Sequence, residues 1–381
     1  MSEIIAGRYR HFKGMEYEVL GVATHSETGE PLVVYRALYG EHRLFVRPAA
    51  MFGESVSRRD HDGPRFTWLG PSTELRLSRT GQLAARAFLL SEGRPLEQAL
   101  YRYHFEAGDA AAVIAVLEPY CIPDGGFGHA LEPDLRTPDS SVLASTTALQ
   151  TLRSVSAPAD HPLVRGALDW LAGNWQDEAR RWPLIPPTAN NAAHAPWWTV
   201  GPEHATMFGG YLVNPFAEVV AHLLHYRPEL VAGNGLAWDE RAVENVEALD
   251  RALNLNELLC AQRLAETDEL RADLRNRLMA AICASLPETL STTPDQWRSY
   301  GLQPRQVAPS PQSPFAAELA PQVAANLDFL IGEQGIDGAW SPSWTWGDLY
   351  PEMWPTARRD WQSVLTLEAL LQLSSYGRFA L

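Results

Sequence analysis

The chain has 381 residues, 46% of them hydrophobic, with 31 Lys plus Arg against 46 Asp plus Glu and a formal net charge of −15. That length is enough for more than one core and predicts two domains. A net negative chain is a poor match for nucleic acid or an anionic membrane, and no apolar run approaches the roughly 18 residues that span a bilayer.

The first residues lack the basic and apolar stretches of a signal peptide, which predicts a cytoplasmic protein. Cys121, Cys260 and Cys283 lie far apart without a C-x-x-C pair, so they read as small apolar residues rather than as a disulfide framework or a zinc cage. Thirty of the 31 basic side chains are arginine; only Lys13 is lysine.

The charge is unevenly placed. Residues 1–67 hold nine basic and nine acidic residues, so the remainder carries the whole imbalance. In the neutral segment Glu16 to Thr24, Pro31 to Tyr39 and Arg43 to Arg47 are rich in Val, Leu, Tyr and Phe and partly alternate, which predicts strands. Ser26 to Glu30 is turn-forming between two of them. Short strands in so small a segment predict a compact SH3-like β-barrel over residues 1–67. Arg8, Arg10, His11 and Lys13 form either a strip for anions or a solvated basic edge. The strings Gly7-Arg8-Tyr9-Arg10-His11-Phe12-Lys13-Gly14, Thr24-His25-Ser26-Glu27-Thr28 and Val46-Arg47-Pro48, with Met51-Phe52, resemble a small bacterial family of unknown function, the 1653 family. That resemblance implies no activity; a protein partner for the barrel is an open expectation.

Turn formers then predict a linker over residues 68–79. From Leu83 the apolar spacing turns helical, as in Phe216, Val219, Val220, Leu223 and Leu224, or Val323, Leu327, Leu330 and Ile331. Prolines such as Pro162 and Pro294 stand near predicted helix starts, where a missing N–H costs least.

Within this helical region one phrase recurs. Asp124-Gly125-Gly126-Phe127 and Asp337-Gly338-Ala339-Trp340 are tight turns ending in an aromatic, and Leu168 to Gly173 leads to Trp175 and Trp182 much as Leu327 to Gly332 leads to Gln334 and Trp340. Glycine supplies the backbone freedom of the turn and the aromatic plugs the next helix. The Gln334 to Trp340 copy resembles the repeats of squalene/hopene cyclases, and residues 83–378 resemble uncharacterised bacterial proteins of squalene-cyclase-like or prenyltransferase-like type. The resemblance implies a mostly α chain with an α/α toroid over residues 80–381 and a deep cavity. No Asp-x-Asp-Asp or Asp-Asp-x-x-Asp string is present, so it implies neither cyclase nor prenyltransferase chemistry.

Three loops hold the residues that helix packing explains least. Carboxyl groups at Glu132, Asp134 and Asp348 are candidates for acid–base catalysis, because hydrolysis of a glycoside needs one carboxyl to give a proton and another to stabilise or attack. Glu132 and Asp134 would otherwise pair with Arg136 or cap the following helix. His129, His194, Trp197, Trp198, Trp344 and Trp346 are candidate ligand-binding residues. Indole faces hold an apolar chain, a cation or a sugar ring equally well, or else seal the toroid ends. His129, Glu132 and His194 have metal-ligand chemistry without the spacing of a metal motif, so neither metal nor cofactor is expected. The expected function is binding of an apolar or isoprenoid-like small molecule in an acidic, Trp-lined cavity; a carbohydrate-active hydrolase or lyase and a non-catalytic binding module are the alternatives.

Overall fold

The computed structural model describes residues 4–37, 39, 43–58, 61–70, 75–233 and 235–380. They divide into two compact units, one of residues 1–76 with 318–331, the other of residues 77–317 with 332–381. About half the chain is helical, and no helix among the described residues is long and apolar enough to cross a membrane.

The first unit is built on an antiparallel five-stranded sheet, with strands β1 (Gly7–His11), β2 (Glu16–Thr24), β3 (Pro31–Ala37), β4 (Leu44–Pro48) and β7 (Phe66–Gly70) in the order β4-β3-β2-β1-β7. A separate hairpin, β5 (Ser55–Arg58) with β6 (His61–Pro64), interrupts it. Alternation in β1 buries Tyr9 and leaves Arg8 and Arg10 outward, as a half-buried strand requires. The inner face gathers Tyr9, Tyr17, Val19, Val33, Tyr35, Phe52 and Phe66, with the Phe52 and Phe66 rings stacked 4.1 Å apart. Arg8 and Arg10 both bond Glu16, the latter at 2.9 Å, so the basic strip of the sequence is partly neutralised by its own neighbour. Strand β7 runs into the expected linker as far as Gly70. Residues 71–74 of that linker, and Leu38 in the expected third strand, lie outside the described residues. Helix Ala320–Gly332, which the sequence assigns to the toroid, falls almost wholly in this unit; there Asp328 Oδ1 accepts the Leu75 N–H at 2.9 Å.

The second unit is helical. Helices Val142–Ser154, Phe216–Tyr226 and Leu255–Ala265 pack in sequence on one another. Phe216–Tyr226 buries every residue except His225, the signature of a helix enclosed on all sides. Ser141 caps the first by accepting the Ala144 N–H, and Asn254 and Glu257 form a capping box on the third. Helix Trp354–Ser375 packs on Arg79–Glu92 and Pro95–Phe105.

The recurring phrase is one turn built twice. Ile122 N–H bonds Gly126 O at 2.8 Å and Gly125 N–H bonds Ile122 O at 2.9 Å; Gly335 N–H bonds Ala339 O at 2.8 Å and Gly338 N–H bonds Gly335 O at 2.9 Å. Asp124 and Asp337 each accept the N–H two residues on. Phe127 and Trp340 follow, both buried. Their N–H groups bond Ser145 Oγ and Thr366 Oγ1, at 3.0 and 3.1 Å, on the next helix. Gln334 ties the second copy by donating to Gly81 O and Gly338 O. In the degenerate third copy Trp182 is fully buried and donates to Leu171 O at 2.7 Å.

Candidate functional site

After the first turn the chain does not enter a helix directly. Gly128 to Arg136 makes consecutive tight turns, with His129 and Ala130 both at positive φ. The buried Arg94 guanidinium holds this loop, donating to Leu131 O at 3.0 Å and Ala130 O at 3.3 Å while bound bidentately to Glu97. From the other side residues 192–195 braid with it. Arg136 N–H bonds Ala193 O at 3.0 Å and Ala195 N–H bonds Asp134 O at 2.8 Å. The braid sets Trp197 and Trp198 beside the carboxyl groups.

The result is a cavity of about 550 Å³. Glu132 and Asp134 line it together with Trp197, Trp198, Trp344 and Trp361. Trp198 stacks on Phe208 at 5.1 Å, and Trp344 meets Trp361 and Tyr300 edge to face at 5.1 and 5.7 Å, geometries aromatic pairs favour. The other wall is polar and comes from the three packed helices: Gln150 from the first, Glu218 from the second, Asn256, Cys260 and Arg263 from the third.

The carboxyl groups are held in opposite states. Burial, and then the neighbouring Asp134 charge, push the Glu132 carboxyl well above its ordinary value. Against that, the Asp134 N–H and the Trp198 indole face the Glu132 carboxyl, and the Trp361 indole faces Asp134, in contacts looser than a full hydrogen bond. Asp134 is also raised by burial, although Trp346 donates to Oδ1 at 2.6 Å and Trp344 to Oδ2 at 3.0 Å. Glu218 goes the other way. Burial works against its charge, but Arg263 at 3.1 Å, then His222, then the Gln150 amide hold its pKa down to about 2. Cys260 donates its thiol to Glu218 Oε2 at 3.4 Å, and burial pushes that thiol up, so it is a hydrogen-bond donor and not a thiolate nucleophile. His222 Nε2 stands 3.6 Å from Glu218, and burial lowers its pKa against the pull of that carboxylate.

Of the residues singled out in the sequence, Glu132, Asp134, Trp197, Trp198 and Trp344 share this cavity, and four others do not. His129 lies with Arg94, Arg136 and Arg359 on a neighbouring cavity of about 480 Å³, because its positive φ turns it away from Glu132. His194 is buried at 3% exposure and spent on Ala192 O at 2.7 Å and Thr199 Oγ1 at 3.1 Å; it holds the braid. Trp346 stands fully buried behind Asp134 as its hydrogen-bond donor. Asp348 follows the Gly347 turn and is exposed. Among the described residues no three His, Cys, Asp or Glu side chains converge as a metal would need. Sequence reasoning missed Glu218, Arg263 and Gln150, which sit on helices; a charged residue inside the apolar run Phe216 to Leu224 was the available signal.

No curated protein matches the sequence. A crystal structure of a DUF1653 protein from Bordetella bronchiseptica is 36% identical over 19% of this chain and 96% of its own, with a TM-score of 0.18. The family model described as "Protein of unknown function (DUF1653)" matches residues 7–68. Through that N-terminal segment, outside the cavity, the chain belongs to the DUF1653 family.

Proposed function

We propose that the helical unit is an α/α toroid whose cavity takes a polyhydroxylated, sugar-like small molecule and cleaves a glycosidic bond by acid catalysis. The observation that carries this reading is the pairing, on one aromatic-walled cavity, of a carboxyl whose pKa burial pushes up at Glu132 with one whose pKa Arg263 holds down at Glu218. Environments that push two carboxyl groups apart assign them to acid and anion roles.

Several features support the toroid. The helices Val142–Ser154, Phe216–Tyr226 and Leu255–Ala265 pack in succession, and the chain closes back on itself where Arg305 donates to Gln372 at 2.8 Å on the last long helix. On the same helix Glu368 feels the charges of Arg305 and of Arg263 from Leu255–Ala265.

In the proposed reaction Glu132 passes its proton to the leaving oxygen as the glycosidic C–O bond breaks. Positive charge develops on the sugar ring and the fixed Glu218 anion stabilises it. Water adds to the ring carbon and returns a proton to Glu132. The indole faces seat the ring, and the Gln150 and Asn256 amides on the opposite wall reach its hydroxyls.

An isoprenoid-like ligand fits less well. It would strip water from Arg263, whose side chain is 37% exposed, and from Asn256, with no hydrogen bonds in return. The test is a panel of oligosaccharides and prenyl diphosphates scored by thermal shift and by product release. Glu132→Gln should lower turnover about 10²–10⁴-fold, and Glu218→Gln about 10²–10³-fold. Sugar binding with no turnover in the unaltered chain would reduce the site to a binding module, and stabilisation by prenyl diphosphate alone would reject the sugar reading.

A further inference from the structure

Two more cavities continue the first. A pocket of about 230 Å³ shares Phe208, Asn214, Asn256 and Tyr300 with it. A cleft of about 620 Å³ shares Met207, Asn254, Leu255 and Tyr300 with that pocket. Tyr300 therefore borders all three. It is 61% exposed, and its ring is braced edge-on by Trp344, so it offers an open aromatic face at the junction.

Among the described residues the outer cleft has no unmatched positive charge for an anionic end group to seek. Its one arginine, Arg251, is held by both oxygens of the buried Glu257 at 2.7 and 2.8 Å. Its one carboxylate, Glu288, is exposed at the edge. Thr206 and Met207 form an exposed rim. Such a cleft, with Tyr300 as an aromatic face at its mouth and Thr206, Asn254 and Thr289 on its walls, suits a neutral chain of hydroxyl-bearing rings. A ligand confined to one ring would leave it unused.

Resting on the sugar reading of the main cavity, we propose that the substrate is a linear, neutral oligosaccharide several units long, lying from the Glu132 wall past Tyr300 into the cleft bounded by Thr206, Leu255 and Leu302.

The test uses the full chain carrying Glu132→Gln to stop turnover. Titration calorimetry with gluco-, xylo- and manno-oligosaccharides of two to six units should give, for one series, a Kd that falls about tenfold or more with length. Thr206→Trp, which sets an indole on the exposed rim, should abolish that gain and leave the two-unit Kd within about twofold. Met207→Ala, an exposed truncation that keeps the fold, should weaken only the long members. Equal affinity at every length would overturn the extended path while leaving the sugar reading intact, and so would a length gain that survives Thr206→Trp. Absence of binding by every series at every length would overturn both.

Discussion

Trp346 donates its indole N–H to Asp134 Oδ1 at 2.6 Å, joining positions 212 residues apart. With Trp344 on the other oxygen, and with Trp361 and the Arg136 charge nearby, these indoles work against the burial that raises the Asp134 pKa. Trp346→Phe keeps most of the ring and removes one donor. It should raise the Asp134 pKa further, seen by carboxyl NMR titration, and cost about 1.5–3 kcal/mol, the range for a hydrogen bond to a charged group. Unchanged stability and an unmoved Asp134 resonance would mean the indole is only packing.

Glu132 makes a prediction with a definite sign. Its folded pKa is raised, so the folded state holds a proton that the unfolded state has already released. Stability from this group is therefore complete below the unfolded pKa near 4.5 and falls as pH rises through the folded value. Glu132→Gln removes that fall. The variant should gain on the parent as pH increases from 4 to 8 in urea unfolding, even as turnover is lost; parallel stability curves would contradict the raised pKa.

Glu218 has the opposite sign. Its pKa is lowered from 4.5 to about 2, so its stabilisation is present above pH 4.5 and is lost as pH falls toward 2. The shift corresponds to about 3 kcal/mol at about 1.4 kcal/mol per unit. Arg263→Met leaves the carboxylate buried without its main counter-charge and should lift the acid limb of the stability curve toward higher pH. The same acid midpoint in parent and variant would show that Arg263 does not hold Glu218 ionised.

What could be read from the sequence follows from how local each signal is. The doubled turn was legible because its hydrogen bonds lie within five residues, from Ile122 to Gly126 and from Gly335 to Ala339. Strand β1 was not, because three of its five residues, Arg8, Arg10 and His11, are arginine or histidine and it becomes a strand only through its partners β2 and β7. Glu132 and Asp134 stood out in a loop that helix packing could not explain. Glu218 was hidden for the converse reason: it lies on a helix enclosed on all sides, where a period of 3.6 marks burial but not which neighbour supplies the counter-charge. His129 shows a further limit. It is three residues from Glu132, yet positive φ at His129 and Ala130 sends the two to different cavities, and backbone handedness of that kind is weakly encoded in His and Ala.

The doubled turn also predicts matched responses in its two copies. Gly125 has φ +96° and Gly338 has φ +87°, and a Cβ would meet Gly166 O at 2.8 Å in the first and the Ala84 backbone at 2.4 Å in the second. Neither obstacle is a flexible side chain, so relief requires the adjoining helix, Pro162–Gly173 or Arg79–Glu92, to move. Gly125→Ala and Gly338→Ala should each destabilise the helical unit by about 1–3 kcal/mol from backbone strain, before any cost of shifting a helix. Phe127→Ala and Trp340→Ala should cost about 3–5 kcal/mol each, as expected for emptying a buried aromatic site. The argument is strongest as a comparison. If the turns are structural equivalents, the two glycine variants will lower the urea midpoint by similar amounts, and so will the two aromatic variants; a stable, fully folded Trp340→Ala beside a crippled Phe127→Ala would mean that only the first copy still holds its helix in place.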